Sequence, residues 1–262
     1  MIEVNRAISL ERVIQEGTRN KPWIVSVKTS NGLKPYVAKI FAQNDIDQKN
    51  ALCREVYATV LARELELNVP DSCLIEFPAD FRSSLSETGK VTLKQRHDRY
   101  AFGTEYLEGA TTYSPSLNTK DFEPYEIESI YAFDVVINNF DRTPRKPNIL
   151  LYDRTYYLID HELSLVYTDV PNSDKNLSLY PFWNHIFHTP LKSKSQYNTD
   201  KPDFEGFLES FRIMNLRKLT QCARQLEQLK YITDDAHVIS KYFDSLRNKP
   251  GKLGTYLKAS IK

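Results

Sequence analysis

Asn138-Asn139-Phe140-Asp141-Arg142-Thr143-Pro144-Arg145-Lys146-Pro147-Asn148-Ile149-Leu150-Leu151, with Leu158-Ile159-Asp160-His161 shortly after it, is the stretch that decides the reading of this 262-residue chain. Ile149-Leu150-Leu151-Tyr152 and Tyr156-Tyr157-Leu158-Ile159 are apolar, β-prone runs flanking Asp153-Arg154-Thr155, which is a hairpin signal. Such a hairpin turns the chain back and brings Asp160 beside Asn148. An Asp, an Asn and a second Asp then meet in one place. Magnesium takes oxygen ligands and keeps several waters, so Asn148 and Asp160 suffice as metal ligands when phosphates complete the shell. Asp141 is left to orient an attacking hydroxyl, and the set is that of phosphoryl transfer, which needs positioning and charge neutralisation more than covalent help.

Working upstream, Trp23-Ile24-Val25-Ser26-Val27-Lys28, a Ser30-Asn31-Gly32 turn and Tyr36-Val37-Ala38-Lys39-Ile40-Phe41 predict a second hairpin with Lys39 as a charge inside a strand. From Asn50 to Leu65, the residues Leu52, Val56, Val60, Leu61 and Leu65 recur at helical spacing with no Gly or Pro between them. Glu55 lies near that face, where it can meet Lys39 and hold it against nucleotide phosphates. A lone Lys39 would read as a solvated edge-strand charge; the downstream set favours the functional reading.

These residues resemble those of the HipA-like kinases, most closely the short bacterial kinase-domain proteins of that group, and more distantly phosphoinositide-type kinases. Asn139-Phe140-Asp141-Arg142 with Pro147-Asn148 matches the catalytic loop, Ile159-Asp160-His161 the metal segment, Ala38-Lys39 the nucleotide lysine and Arg54-Glu55-Val56 the helix; the likeness runs from about residue 15 to 170. The resemblance implies an α+β, two-lobed protein-kinase-like fold with a small β-rich N-lobe over 1–108, which binds nucleotide, and a mainly helical C-lobe over 109–262. It implies ATP and Mg2+ as cofactors, with catalytic Asp141, Lys39 and Glu55 and metal ligands Asn148 and Asp160. Lys39, Glu105, Tyr106 and Leu107 join Asn148 and Asp160 in holding the nucleotide, and the backbone of Glu108-Gly109 faces the adenine. It further implies Ser or Thr phosphorylation of a protein target and an antitoxin-like restraining partner. A small-molecule phosphotransferase and a catalytically silent nucleotide binder are the alternatives.

Three departures from the kinase pattern stand out. Asp141 and Asn148 are seven residues apart, a longer step than in ordinary protein-kinase loops. For a phosphate loop only Gly17-Thr18 and Gly32 are at hand. His161-Glu162 stands where kinases place Phe-Gly or His-Gly. Arg142 has two readings, a phosphate contact or a tether to Asp134 or Glu162.

Composition bounds the rest. With 35 basic and 34 acidic residues there is no global field for nucleic acid or an anionic membrane. Cys53, Cys73 and Cys222 are odd in number and far apart, which predicts free thiols in a reducing compartment. Neither a signal-peptide pattern nor an apolar run of spanning length is present, so a cytoplasmic protein is expected. Leu10, Val13 and Ile14 predict a helical start, Leu74-Ile75-Glu76-Phe77 and Tyr100–Leu107 strands, Pro124–Ile137 an apolar helix delivering the catalytic loop, Phe204–Leu229 one helical run, and Val238-Ile239-Tyr242-Phe243 a final helix. In the polar stretch 167–202, the island Tyr180–His188 is expected to be a packed or substrate-facing aromatic patch, ahead of metal binding by His185 and His188.

Overall fold

Eleven residues at the start of the chain, Glu3–Val13, form strand β1 and not the helix that Leu10, Val13 and Ile14 suggest. The reason lies in its register with β2 (Trp23–Thr29). The pairing skips one residue between Ala7 and Ser9 and another between Leu10 and Arg12. Each bulge adds one residue to the strand and rephases its alternation, so the inward positions Ala7, Leu10 and Val13 fall three apart and imitate a helical repeat.

This computed structural model describes residues 2–15, 21–96, 99–114, 124–167, 177, 182–197, 202–233 and 235–262; Gly17-Thr18 and most of 168–181 lie outside them. The N-terminal part is strand-rich and the C-terminal part helical. Strands β1, β2, β3 (Gly32–Lys39), β5 (Tyr100–Glu105) and β4 (Ser72–Glu76) close into a barrel in that order, completed by a parallel β1–β4 pairing. The β-rich N-lobe is thus a closed barrel, which leaves these strands no unpaired edge. Gly103 on β5 is required by the packing: a Cβ there would lie 2.4 Å from the Ile75 side chain. Trp23, Val25, Val27, Ala38, Cys73, Ile75 and Ala101 fill the interior, covered at one end by Phe77 and by Phe81 and Leu93 of α3 (Ala79–Ser84) and α4 (Glu87–Lys94).

A larger core is shared by α2 (Ala51–Glu64), which follows the short α1 (Gln43–Lys49), and by α5 (Pro124–Val136). Residues Ile130 to Ile137 of α5 and its exit are all buried, as expected of a helix apolar on every side. A small antiparallel sheet of β6 (Thr111–Thr112), which precedes α5, and of β7 (Ile149–Tyr152) and β8 (Thr155–Leu158), which follow it, carries the 149–158 hairpin. Helices α6 (His188–Tyr197), α7 (Glu205–Ile213), α8 (Arg217–Gln228), α9 (Asp235–Arg247) and α10 (Pro250–Ser260) complete the chain. The single run expected over Phe204–Leu229 is thus two helices. Met214 is extended, and the Asn215 side chain accepts the Arg217 amide at 3.1 Å, restarting the helix after the break. All three cysteines are buried and free. No helix among the described residues is long and apolar enough to cross a membrane.

Candidate active site

The hairpin register assembles the site. Asp153 and Arg154 both have positive φ, the geometry of a two-residue type I′ turn, and Ile149 pairs with Leu158. The Ile159 amide then donates to the Asn148 carbonyl at 3.1 Å, so Ile159 stands opposite Asn148 and Asp160 follows directly at the mouth of the hairpin. Asn148 and Asp160 have left-handed backbones, φ 52° and 65°, which Asn and Asp tolerate better than other side chains.

Lys39, the last residue of β3, reaches this mouth from the barrel. Its ammonium donates to Asp160 Oδ1 at 2.6 Å and to Glu55 Oε1, with Glu162 Oε2 at 3.9 Å. Glu55 is buried on α2, and its other oxygen accepts the His161 amide at 3.1 Å. Oxygens of Glu55, Asp160 and Glu162 lie within 4.8 Å of one another, with the Lys39 ammonium beside them. Burial opposes the charge of Lys39, yet the attraction of Glu55 and Asp160 outweighs it and holds the lysine protonated above its ordinary range. Burial likewise works against the Asp160 charge, but Lys39 and Lys146 overcome it and keep the carboxyl below its usual range. Glu162 behaves differently: burial pushes it up to about 7, with Lys39 opposing and Asp160 and Glu55 adding.

Beside Asp160, the catalytic-loop sequence closes a tight turn. Thr143 and Lys146 exchange two backbone hydrogen bonds, at 3.0 and 3.1 Å, and Pro144 occupies a turn position suited to its fixed φ. This turn absorbs the long step between Asp141 and Asn148. Asp141 and Asn148 consequently converge, with the Asn148 amide nitrogen 3.4 Å from Asp141 Oδ2. It also folds Lys146 back onto Asp141 Oδ2, at 2.5 Å, and Asp160 Oδ2, at 2.8 Å.

A buried polar network holds the loop from behind. Arg142 is fully buried and donates to Asp134 Oδ2 at 2.6 Å, to the Asn148 carbonyl, and toward Pro147 O at 3.4 Å, with His161 Nε2 at 3.1 Å. Of the readings open for Arg142, the tether to Asp134 is the one the fold makes. Asp134 also accepts from Asn139 at 2.8 Å and meets His185 Nε2 at 2.9 Å. His185 accepts the Phe187 amide at Nδ1, so both ring nitrogens are engaged within the aromatic patch around Phe182 and Tyr131. Burial disfavours the Asp134 charge, but Arg142 and His185 reverse this and bring its carboxyl down to about 2.

Glu105, Tyr106 and Leu107, the expected nucleotide residues after the barrel, leave β5 at its end. The Glu105 amide donates to Asp71 O at 2.7 Å and the Tyr106 amide to Pro35 O at 2.9 Å, while the Glu105 carboxylate pairs with Lys34 at 2.8 Å. Leu107 O accepts the Ala110 amide at 3.1 Å in a turn where Gly109 has φ 82°.

With this geometry in view, the profile of the HipA-like kinases matches residues 11–222. The chain belongs to the HipA-like kinase family. Among solved structures it is similar to the Helicobacter pylori proinflammatory kinase CtkA, at 12% sequence identity and a TM-score of 0.49, over 96% of this chain and 98% of that one. No curated protein sequence matches it.

Of the residues singled out in this HipA-like kinase sequence, Lys39, Glu55, Asp141, Asn148 and Asp160 come together in one cluster; Glu105 and Tyr106 have side chains occupied elsewhere, with Tyr106 Oη accepting from Arg12 at 2.6 Å. Sequence reasoning did not assign Lys146 or His185. Lys146 could have been suspected from the Pro-Arg-Lys-Pro turn, whereas nothing local marks His185 as a partner of Asp134, 51 residues away.

The buried histidines give a pH prediction. Burial, and next the Arg142 charge, press the His161 pKa down to about 3, and burial lowers that of His185. The folded protein therefore refuses protons that the unfolded chain binds below about pH 6.5. The contribution of His161 is full above that value and is lost as pH drops toward 3, by about 1.4 kcal/mol per pH unit, and His185 acts in the same direction, whereas Glu162 and Glu55, whose pKa values burial raises, act in the opposite one. Because these opposite contributions overlap, the check is on the rings themselves: NMR titration of the folded protein should show His161 and His185 unprotonated from pH 7.5 down to 4.5, and rings that titrate near 6.5 would contradict the buried neutral imidazoles.

Proposed function

We propose that this HipA-like kinase transfers the γ-phosphoryl group of ATP, with magnesium, to a hydroxyl carried by a protein. The observation that supports this reading most is the convergence of the Lys39–Glu55 pair from one half of the chain with Asp141, Asn148 and Asp160 from the other. Residues 1–108 act as the nucleotide-holding lobe and 109–262 as the lobe of the catalytic loop.

In this reading Lys39, fixed by Glu55, binds nucleotide phosphates. The Asp160 carboxylate and the Asn148 amide oxygen are hard oxygen donors that would hold magnesium, whose charge would offset the negative charge of the nucleotide phosphates. Asp141 orients the acceptor hydroxyl and takes its proton. Because the Glu105 and Tyr106 amides are engaged, the adenine edge is met by backbone further along, at Leu107 to Gly109. A protein acceptor is favoured by Trp183, which is 72% exposed; its segment is tied to the catalytic loop through the Ile186 amide and Arg142 O, at 3.1 Å.

The test is incubation with γ-labelled ATP and magnesium, following phosphate release and label on protein. Wild type should turn over, and Asp141→Ala should lose about a hundred- to ten-thousandfold in rate, the span of general base catalysis, while keeping nucleotide affinity. Wild-type protein that fails to bind nucleotide with magnesium, or equal rates in both proteins, would refute the proposal. Label that moves to small hydroxyl compounds but never to protein would turn the reading to a small-molecule phosphotransferase.

A further inference from the structure

Lys146 has no part in the set of residues above, yet it makes the most consequential contact in the site. One ammonium touches Asp141 Oδ2 at 2.5 Å and Asp160 Oδ2 at 2.8 Å. Those are the oxygens of the proposed base and of the proposed metal ligand. Lys39 holds the other oxygen of Asp160, so the two lysines divide one carboxylate between them. Their surroundings differ: the Lys39 side chain is 18% exposed and anchored by buried Glu55, whereas that of Lys146 is 46% exposed, on a turn at the surface. A lysine is a compact charge on a flexible four-carbon stem, so Lys146 can release one partner and keep within reach of the next.

Resting on the phosphotransferase reading, we propose that Lys146 is a further catalytic residue, a mobile cation that neutralises Asp141 and Asp160 in the nucleotide-free protein and moves onto the transferring phosphoryl group in the reaction. Lys146 yields Asp160 to a divalent cation and Asp141 to the acceptor hydroxyl. Its ammonium, between the two carboxylates, is then free to meet the oxygens of the phosphoryl group that the reaction brings to them. As the acceptor oxygen forms its bond to the γ-phosphorus, the bond from that phosphorus to the β-phosphate bridging oxygen breaks, ADP leaves with the electron pair, and the acceptor proton goes to Asp141. Lys146 gains and loses no proton; it follows the negative charge. The long step from Asp141 to Asn148 acquires a purpose, because the Thr143–Lys146 turn that fills it aims this lysine into the site.

Two measurements on Lys146→Met test the idea. The first is titration of the nucleotide-free protein with Mn2+ alone, followed by electron paramagnetic resonance. Removing the competing ammonium should tighten Mn2+ binding about fivefold, the scale of a half-exposed ion pair. The second is turnover of γ-labelled ATP, which should fall about a hundredfold, as for loss of one preorganised transition-state donor, with the KM for ATP unchanged within about twofold. Lys146→Arg should recover part of the rate. Arg145→Met, which removes the neighbouring exposed cation, should match wild type in both assays. Unchanged Mn2+ affinity and wild-type turnover in Lys146→Met would overturn the role of Lys146 alone, as would equal shifts in Arg145→Met, which would reduce the effect to net charge. Wild-type protein that binds neither Mn2+ nor nucleotide would overturn the phosphotransferase reading and this proposal together.

Discussion

On the proposed phosphotransferase reading, Asp160→Asn will abolish magnesium-dependent nucleotide binding and lower phosphoryl transfer at least a thousandfold, while leaving the fold intact. Asn is the informative substitution because Asp160 sits at φ 65°, a left-handed conformation that an Asn accepts and an Ala would strain. The change keeps the shape and removes the charge. That charge is what Lys39 and Lys146 converge on, at 2.6 and 2.8 Å, and it persists because both lysines hold the carboxyl below its usual range despite burial. If Asp160 holds magnesium as proposed, losing it removes much of that hold, because magnesium binds through one or two carboxylates plus phosphates. Calorimetric titration with a non-hydrolysable ATP analogue, with and without magnesium, reads the effect directly. Equal affinities in wild type and variant would remove Asp160 from the metal site, and an altered circular dichroism spectrum would instead point to lost structure.

The second large effect is on stability. Arg142→Met should cost about 3–5 kcal/mol, because one partner of a buried ion pair is taken away and the other is stranded. Arg142 and Asp134 are both fully buried, and the guanidinium also serves the Asn148 carbonyl and faces His161. His185 would remain on Asp134, but a neutral imidazole cannot replace the cation. For a chain of this length the loss corresponds to a melting temperature lower by about 10 °C. Lysine would not rescue it, since one ammonium cannot reproduce a planar fork that reaches Asp134, a backbone carbonyl and a ring nitrogen at once. A melting temperature within 2 °C of wild type, on the order of the shift from half a kcal/mol, would show that the network does not hold the loop.

How far the sequence could be read depended on whether the relevant interactions were local. The hairpin 149–158 was legible because turn chemistry and β-prone runs lie side by side, but its register was not: the apolar runs leave Asp153-Arg154-Thr155 as the connection, whereas Thr155 already pairs with Tyr152 and the turn is the two residues Asp153-Arg154. Helix α2 was legible from its spacing, and with Lys39 at the end of a strand it placed the Lys39–Glu55 pair. Strand β1 was misread because its alternation is set by a partner. Two bulges, each defined only by the partner strand β2, gave its inward residues a three-residue period that a single strand cannot reveal. The break at Met214 was hidden because apolar residues continue in phase on both sides of it.

The sequence by itself determined the types of group available: a carboxylate to orient a hydroxyl, an Asn and an Asp for a hard cation, a lysine with a glutamate to hold it, and a near-neutral chain with three separate thiols. Those follow from residue identity and short-range spacing. Tertiary structure alone decided that the barrel closes through β1 against β4, that Arg142 is spent on Asp134, that His185 reaches back to the helix before the loop, and that Lys146 lies across Asp141 and Asp160. Each of these joins groups whose choice of partner depends on burial and competing charges, and such energies exist only once the distant segments have been packed together.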